Sequence, residues 1–457
     1  MAFPRIARPY RTLIDEPAPF SCRNETQFVD SRDMPCEWTD QFDADHDGDV
    51  YRDEALDQFW QNIAPLSILV NVPFCRHHCQ TCVNNKIMAW DHSAIRKYLD
   101  YLSKEIRMQA KLVNKHRTVL KLQIDRGTAA FLKGAELTEL MHNLACHYKL
   151  TDSERREYSV ELDFRTVTLD NLALLKGLGF NQLSVGIQGF DDHVKIENKL
   201  HKRFNIIKTW MTAARVYGFK SISYDLVFGH PSQTLMSLGT TLDKMIELSP
   251  DRMYFFHYSQ SLEEPEKKVE IGQKKLLVAD KKVMMVALIS DKLTKAGYLH
   301  LGMDCFVKPA DALMQAQKDG LLQSSFQGYS TCLTPDLIGL GLSSTSSLQG
   351  AYFQNECKLE DYYLRLGKDN LPIANTIKLN DDNRVRQAVI MQIVCDLLLD
   401  TEVIAEEFNI NFADYFCAEL LALKVMERSG LLFWDGTKIM IRDKGRLMLK
   451  QICMPFE

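Results

Sequence analysis

The sequence predicts an α/β fold, an open three-quarter (β/α)6 barrel with an acidic N-terminal extension and a mainly helical C-terminal part. Three observations predict it. Strand-like and helix-like segments alternate from about residue 64 to residue 259, a pattern that folds as a parallel sheet with right-handed crossovers. Six strands can be counted there, where a closed barrel has about eight. Three of the twelve cysteines fall within eight residues just after the first of these strands, where a barrel of this kind gathers its chemistry.

The elements follow in order. LSILVNV (66–72) reads as a buried strand, and 92–113 carries helical periodicity. VLKLQID (119–125) is a strand, 137–148 a helix and EYSVELD (157–163) a strand. The helix over 169–179 closes on Gly179, whose freedom at positive φ suits a helix end. QLSVGIQ (182–188), the helix 204–218, ISYDLVFG (222–229), the helix 235–249 and RMYFFHYS (252–259) complete the six units. Beyond them 265–297 reads as helical, and 326–348 as a loop-and-strand segment packed on the barrel. Helices over 383–399 and 412–428, a hairpin turning at Asp435-Gly436 and a helix over 443–453 give a winged-helix-like order.

At 457 residues the chain is too long for one small domain. The expected division is an extension over 1–60, the barrel with flanking helices over 61–325, and a C-terminal domain over 326–457. Hydrophobic residues at 46% and charged residues at 25% exclude a disordered or fibrous chain. A winged helix raises the question of DNA, but 381–457 holds nine Lys/Arg against thirteen Asp/Glu, and the whole chain carries −5. Both balances argue against a phosphate backbone as partner. No apolar run approaches the ~18 residues of a membrane helix. The N-terminus MAFPRIARPYRT lacks the apolar stretch of a secretory signal. The expectation is a cytoplasmic protein with neither a nucleic-acid nor a membrane partner.

The cysteine cluster reads PFCRHHCQTC, with Cys75, Cys79 and Cys82 spaced three and two residues apart. Three thiolates on one loop can ligate three irons of a 4Fe–4S cube and leave the fourth iron open for a small molecule. A structural zinc site is the alternative; it wants a fourth ligand, which His77 or His78 would have to supply from inside the loop.

This spacing after the first barrel strand resembles the radical S-adenosylmethionine (SAM) superfamily. The segments VNVPFCRHHCQTCVNNK, FNQLSVGIQGF, SYDLVFGHPSQT, SPDRMYFFHYS, GMDCFVKP and FQGYSTCLTPDLIGLGLSS resemble, in order, the oxygen-independent coproporphyrinogen III oxidase family. The resemblance runs from about residue 55 to the end of the chain. It implies a porphyrinogen-like substrate, an electron donor for the cluster, and oxidative decarboxylation of propionates to vinyls in porphyrin and haem biosynthesis. It also implies that SAM is cleaved to a radical that takes a hydrogen atom from the substrate. Carried over position by position, it makes Gly127, Thr128, Glu161, Gln188, Lys199 and Asp225 the SAM contacts; no catalytic residue is assigned. The sequence departs from the family's pattern at Leu69, Asn71, Asn84, Asp125, Arg126, Lys199 and Cys305. The alternative is a divergent relative that binds a cluster or haem without oxidase turnover.

A second motif lies upstream. From Asp30 to Gln58 eleven acids stand against two arginines. Within that stretch DADHDGDVYRDE places Asp43, Asp45, Asp47 and Asp49 at loop positions 1, 3, 5 and 7, Gly48 at 6 and Glu54 at 12. That is the spacing of an EF-hand calcium loop. The competing reading is an acidic cap on the following helix.

Overall fold

A computed structural model describes residues 62–75, 87–88, 92–125, 132–162, 168–187, 197–230, 233–258, 279–325, 327–348 and 350–457. The acidic extension with its loop 43–54, and Cys79, Cys82, Arg126, Gly127, Thr128 and Gln188, lie outside the described residues.

The strands in chain order are β1 (Leu66–Val70), β2 (Phe74–Cys75), β3 (Ile87–Met88), β4 (Thr118–Ile124), β5 (Lys149–Leu150), β6 (Glu157–Leu162), β7 (Gln182–Ile187), β8 (Ser221–Phe228) and β9 (Arg252–His257). Helices α1 (His92–Ala110), α2 (Gly134–His147), α3 (Leu169–Gly177), α4 (Glu197–Val216) and α5 (Leu235–Leu248) cross between them. β1, β4, β6, β7, β8 and β9 neighbour one another in that order, and each of these pairings is parallel. These are the six expected β/α units, forming an open sheet. The helix ends also follow their sequence: Gly179 sits at φ +96, and the next amide, Phe180 N, donates back to Leu175 O.

Period-two alternation sorts the strand residues between two faces. One face is apolar, with Ile68, Leu122, Val160, Val185 and Leu226 sharing a core with helix residues such as Leu102, Leu144 and Leu175. The other face is polar. Pairing in register aligns Lys121 with Glu157, Gln123 with Ser159, Glu161 with Ser184 and Gly186 with Asp225. The row continues from Ser223 to Arg252 and from Asp225 to Tyr254.

The sheet extends beyond the six strands at both edges. At one edge β9 pairs antiparallel with β11 (Cys305–Val307), which pairs with β10 (Leu299–Gly302). At the other, β1 pairs in parallel with β14 (Asp336–Leu340), followed by an antiparallel run of β15 (Thr345–Leu348), β16 (Ala351–Asn355) and β17 (Ile373–Lys378). The region 326–348 is therefore more sheet than loop, holding β14, β15 and the short β13 (Gly328–Ser330), which pairs with β12 (Gln323–Ser325). The buried pair Arg117–Asp336 at 2.6 Å fixes the added edge. Arg117 also donates to Ala64 O at 2.6 Å, so one guanidinium joins the entries to β1, β4 and β14.

The C-terminal helices are α6 (Ala279–Lys295), α7 (Ala312–Lys318), α8 (Leu359–Gly367), α9 (Asp381–Asp396), α10 (Thr401–Phe408), α11 (Phe412–Tyr415) and α12 (Cys417–Arg428). The helix expected over 412–428 is thus broken at Phe416, and 443–453 contains two short helices, Asp443–Arg446 and Leu449–Cys453. Strands β18 (Leu398–Asp400), β19 (Leu432–Trp434) and β20 (Lys438–Ile441) form a small antiparallel sheet. The β19–β20 turn is the expected Asp435-Gly436, with Asp435 Oδ1 accepting from Thr437 N and Lys438 N. A second core unites this part with Leu301, Cys305, Val307 and Leu313. No helix among the described residues is long and apolar enough to cross a membrane.

Candidate functional site

Cys75 ends β2, just beyond β1. Phe74 pairs with Ile87 and Cys75 with Met88, in parallel, and Ile87 N donates to Pro73 O at 2.6 Å. The chain that carries Cys79 and Cys82, residues 76–86, therefore leaves and returns at one pinned base. Cys75 itself stands past the C-terminal end of the first barrel strand.

Two of the expected SAM contacts come together on the polar face. Glu161, the fifth residue of β6, is 3% exposed, and Asp225, within β8, is 7% exposed. Ser184 of β7 lies between them, in register with Glu161 and donating from Oγ to Asp225 Oδ2 at 3.0 Å. Asp125 follows β4 directly, its N donating to Val70 O at 3.0 Å. Lys199 lies in the first turn of α4. The two buried carboxylates stand on strands β6 and β8, either side of β7, and buried carboxylates are stabilised by hydrogen-bond donors. They suit a ligand that presents hydroxyl and amino groups, as SAM does.

The sequence reading missed the wall beside Asp225. Tyr254 of β9 stands opposite both Asp225 and Cys305. Burial, then the neighbouring Cys305 and Asp225, push the Tyr254 phenol well above its usual range. Burial likewise pushes the Cys305 thiol up, with Arg252 and a hydrogen bond to Tyr254 pulling the other way. Cys305, 1% exposed, is thus a neutral thiol in the wall, one of the positions where the sequence departs from the family's pattern. Further along the polar face Glu157 accepts from Ser330 Oγ at 2.6 Å, Thr331 N at 2.8 Å and Thr331 Oγ1 at 2.7 Å. Burial opposes its charge, yet Lys121 and Arg252 hold the carboxyl below its ordinary value. Arg252 is itself paired with Asp311 at 2.9 Å. The sequence did contain a signal for this face, since Lys121-Gln123-Asp125, Glu157-Ser159-Glu161 and Gln182-Ser184 alternate with apolar residues.

Asn71, another departure, follows β1 and is 7% exposed. Its Nδ2 donates to Leu342 O at 2.7 Å and its N to Leu340 O at 2.9 Å, which ties the start of the cysteine loop to the end of β14.

Comparison with known proteins agrees with this arrangement. The radical SAM superfamily model matches residues 70–245. The oxygen-independent coproporphyrinogen III oxidase of Pseudomonas aeruginosa is 36% identical over 393 residues, covering 86% of this chain and 85% of the relative. That of Escherichia coli is 34% identical over 398 residues, with 86% and 85% covered. The solved structure of coproporphyrinogen III oxidase from Escherichia coli, described as a radical SAM enzyme, superposes with a TM-score of 0.84 at 33% identity, covering 91% of this chain and 94% of that one. The open parallel sheet, the loop after its first strand and relatives matched over most of their length agree: the chain belongs to the oxygen-independent coproporphyrinogen III oxidase family of radical SAM enzymes.

Proposed function

We propose that this chain is an anaerobic oxidase of coproporphyrinogen III that converts propionate side chains to vinyls with loss of carbon dioxide. The observation that carries the reading is the buried Glu161–Ser184–Asp225 row, on the same sheet whose first strand leads into the cysteine loop. Cys75, Cys79 and Cys82 would hold a 4Fe–4S cluster, and Gly127, Thr128, Glu161, Gln188, Lys199 and Asp225 would hold SAM. When bound, that pair of cofactors supplies a carbon-centred radical able to take a hydrogen atom from an unactivated carbon. The residues' own part is to bind, orient and exclude water. Glu161 and Asp225 accept hydrogen bonds at strand positions fixed by the ladder, and Ser184 sets the rotamer of Asp225. Tyr254 and Cys305 close the wall with groups that stay neutral at physiological pH. An external one-electron donor completes the reading. So does a division into an acidic extension, a barrel and a C-terminal domain. Calcium at 43–54 rests on the loop spacing alone.

The test combines cluster loading with SAM affinity. After anaerobic reconstitution the wild type should hold about four irons per chain, and Cys79→Ala should lose them. Asp225→Ala should keep the iron yet weaken SAM binding by about tenfold or more, the scale of a lost hydrogen bond to a charged group. Wild-type SAM affinity in Asp225→Ala would remove Asp225 from the site.

A further inference from the structure

Five segments distant in sequence meet behind the base of the cysteine loop. Tyr98 of α1 is fully buried, and its Oη donates to Asn71 O at 2.9 Å while accepting from Leu342 N at 2.8 Å. Its ring meets Phe74, the residue before Cys75, edge-on at 5.4 Å and 85°. On its other side it stacks on Tyr362 of α8 at 5.6 Å and 22°. Tyr362 is in turn anchored by Glu105, a buried carboxylate also on α1. Glu105 Oε2 accepts from Tyr362 Oη at 2.6 Å and Gly341 N at 2.9 Å, and Oε1 accepts from Asn355 Nδ2 at 2.7 Å. The fit leaves no slack. Gly341 adopts φ +97, and a Cβ there would sit 2.2 Å from Asn71 O and 2.6 Å from Tyr98 Oη.

We infer that Tyr98 is a positioning residue for the cluster-binding loop, held in place by Glu105 and Tyr362. The inference rests on the reading of Cys75 as a cluster ligand. Its physical basis is the choice of contacts. Tyr98 grips the loop's base at two points on either side of Val72-Pro73, by hydroxyl at Asn71 and by ring at Phe74. The next residue is Cys75. Apolar side chains would fill the same space at lower cost, because a fully buried polar network stabilises only when every member is satisfied. Such networks specify one arrangement, and a ligand set must be held to a fraction of an ångström to bind a metal centre well. The two-residue β2–β3 ladder is too short to fix the loop by itself. The hydroxyl–ring clamp supplies the remaining constraint.

The experiment uses the full chain, reconstituted anaerobically, and compares the wild type, Tyr98→Phe and Leu242→Ala. Leu242 is fully buried on α5, between β8 and β9, and serves as a stability control. Iron content, the rate of iron loss to a chelator, the electron paramagnetic resonance signal of the reduced cluster with and without SAM, and Tm are measured on each. Tyr98→Phe is expected to load iron but to lose it to chelator about tenfold faster, the scale set by one buried hydrogen bond, with a smaller spectral change on adding SAM. Leu242→Ala is expected to lower Tm at least as much and to leave both readouts at wild-type values. Phe74→Leu, which removes only the ring contact, carries the same expectation as Tyr98→Phe and replaces it should that variant not fold. Wild-type chelator rates and spectra in Tyr98→Phe, or in Phe74→Leu where it stands in, would overturn the inference while leaving the cluster assignment intact. So would equal changes in Leu242→Ala. A wild type that takes up no iron would instead overturn the cluster reading, and this inference with it.

Discussion

Arg117→Ala is expected to lower stability by about 3–5 kcal/mol, the cost of leaving one charge of a buried pair without its partner. Arg117 is 0% and Asp336 1% exposed in side chain, and they meet at 2.6 Å. Asn62 Nδ2 reaches the same Asp336 oxygen only at 3.3 Å and carries no charge. The guanidinium also caps Ala64 O and Pro65 O, so its loss strips three acceptors where β1 and β14 begin side by side, Leu66 opposite Asp336. Denaturant unfolding measures the effect. The double variant Arg117→Met, Asp336→Leu should recover much of the loss, because it removes both charges together. A single-variant cost below about 1 kcal/mol, typical of exposed pairs, would mean that β14 is held beside β1 by other contacts.

The pH dependence of stability should change by a comparable amount when Glu105 is replaced by Gln. Burial pushes the Glu105 carboxyl up to about 7, against hydrogen bonds from Tyr362, Gly341 and Asn355 that favour the charged form. Its unfolded value is the ordinary 4.5, so the folded chain holds this proton more tightly than the unfolded one. The contribution is therefore fully present below pH 4.5 and is lost as pH rises to about 7, after which it stays constant. At ~1.4 kcal/mol per pH unit of difference, the span is about 3 kcal/mol. The stability of wild type minus that of Glu105→Gln, followed from pH 4.5 to pH 8, should fall by roughly that amount. A flat difference would show that the three donors cancel the burial of the charge.

The six β/α units were legible because their patterns are local. Each strand is a short apolar-rich run, and each helix has its periodicity and end signals, as at Gly179. The Asp435-Gly436 hairpin was legible for the same reason, since a turn's chemistry lies within it. The chelating spacing of Cys75, Cys79 and Cys82 is likewise local. What escaped is what depends on distant partners. β14 lies beside β1 although some 270 residues separate them, and Arg117 is the group that joins them, with no mark in its own neighbourhood. Glu105 sits in an otherwise amphipathic helix, where a carboxylate reads as solvent-facing; its partners Gly341, Asn355 and Tyr362, 236 to 257 residues away, satisfy it in the core. The polar face of the barrel was written in the alternation of β4, β6 and β7, yet the apolar residues between hid it. Phe416, where the expected helix breaks, packs its ring against Phe456 at 5.3 Å, a contact with no local signature.

This chain is expected to perform the family's reaction despite its departures at Asp125, Arg126 and Cys305. The direct measurement is anaerobic incubation of the reconstituted full chain with SAM, a low-potential one-electron reductant and coproporphyrinogen III. Products are followed by chromatography and mass. Propionate carboxyls should be lost as carbon dioxide, vinyl groups should appear, and 5′-deoxyadenosine should form in step with them. None of these should appear in the variant with Cys75, Cys79 and Cys82 all replaced by Ala. An iron-loaded wild type that binds SAM but leaves coproporphyrinogen III unchanged would contradict this expectation.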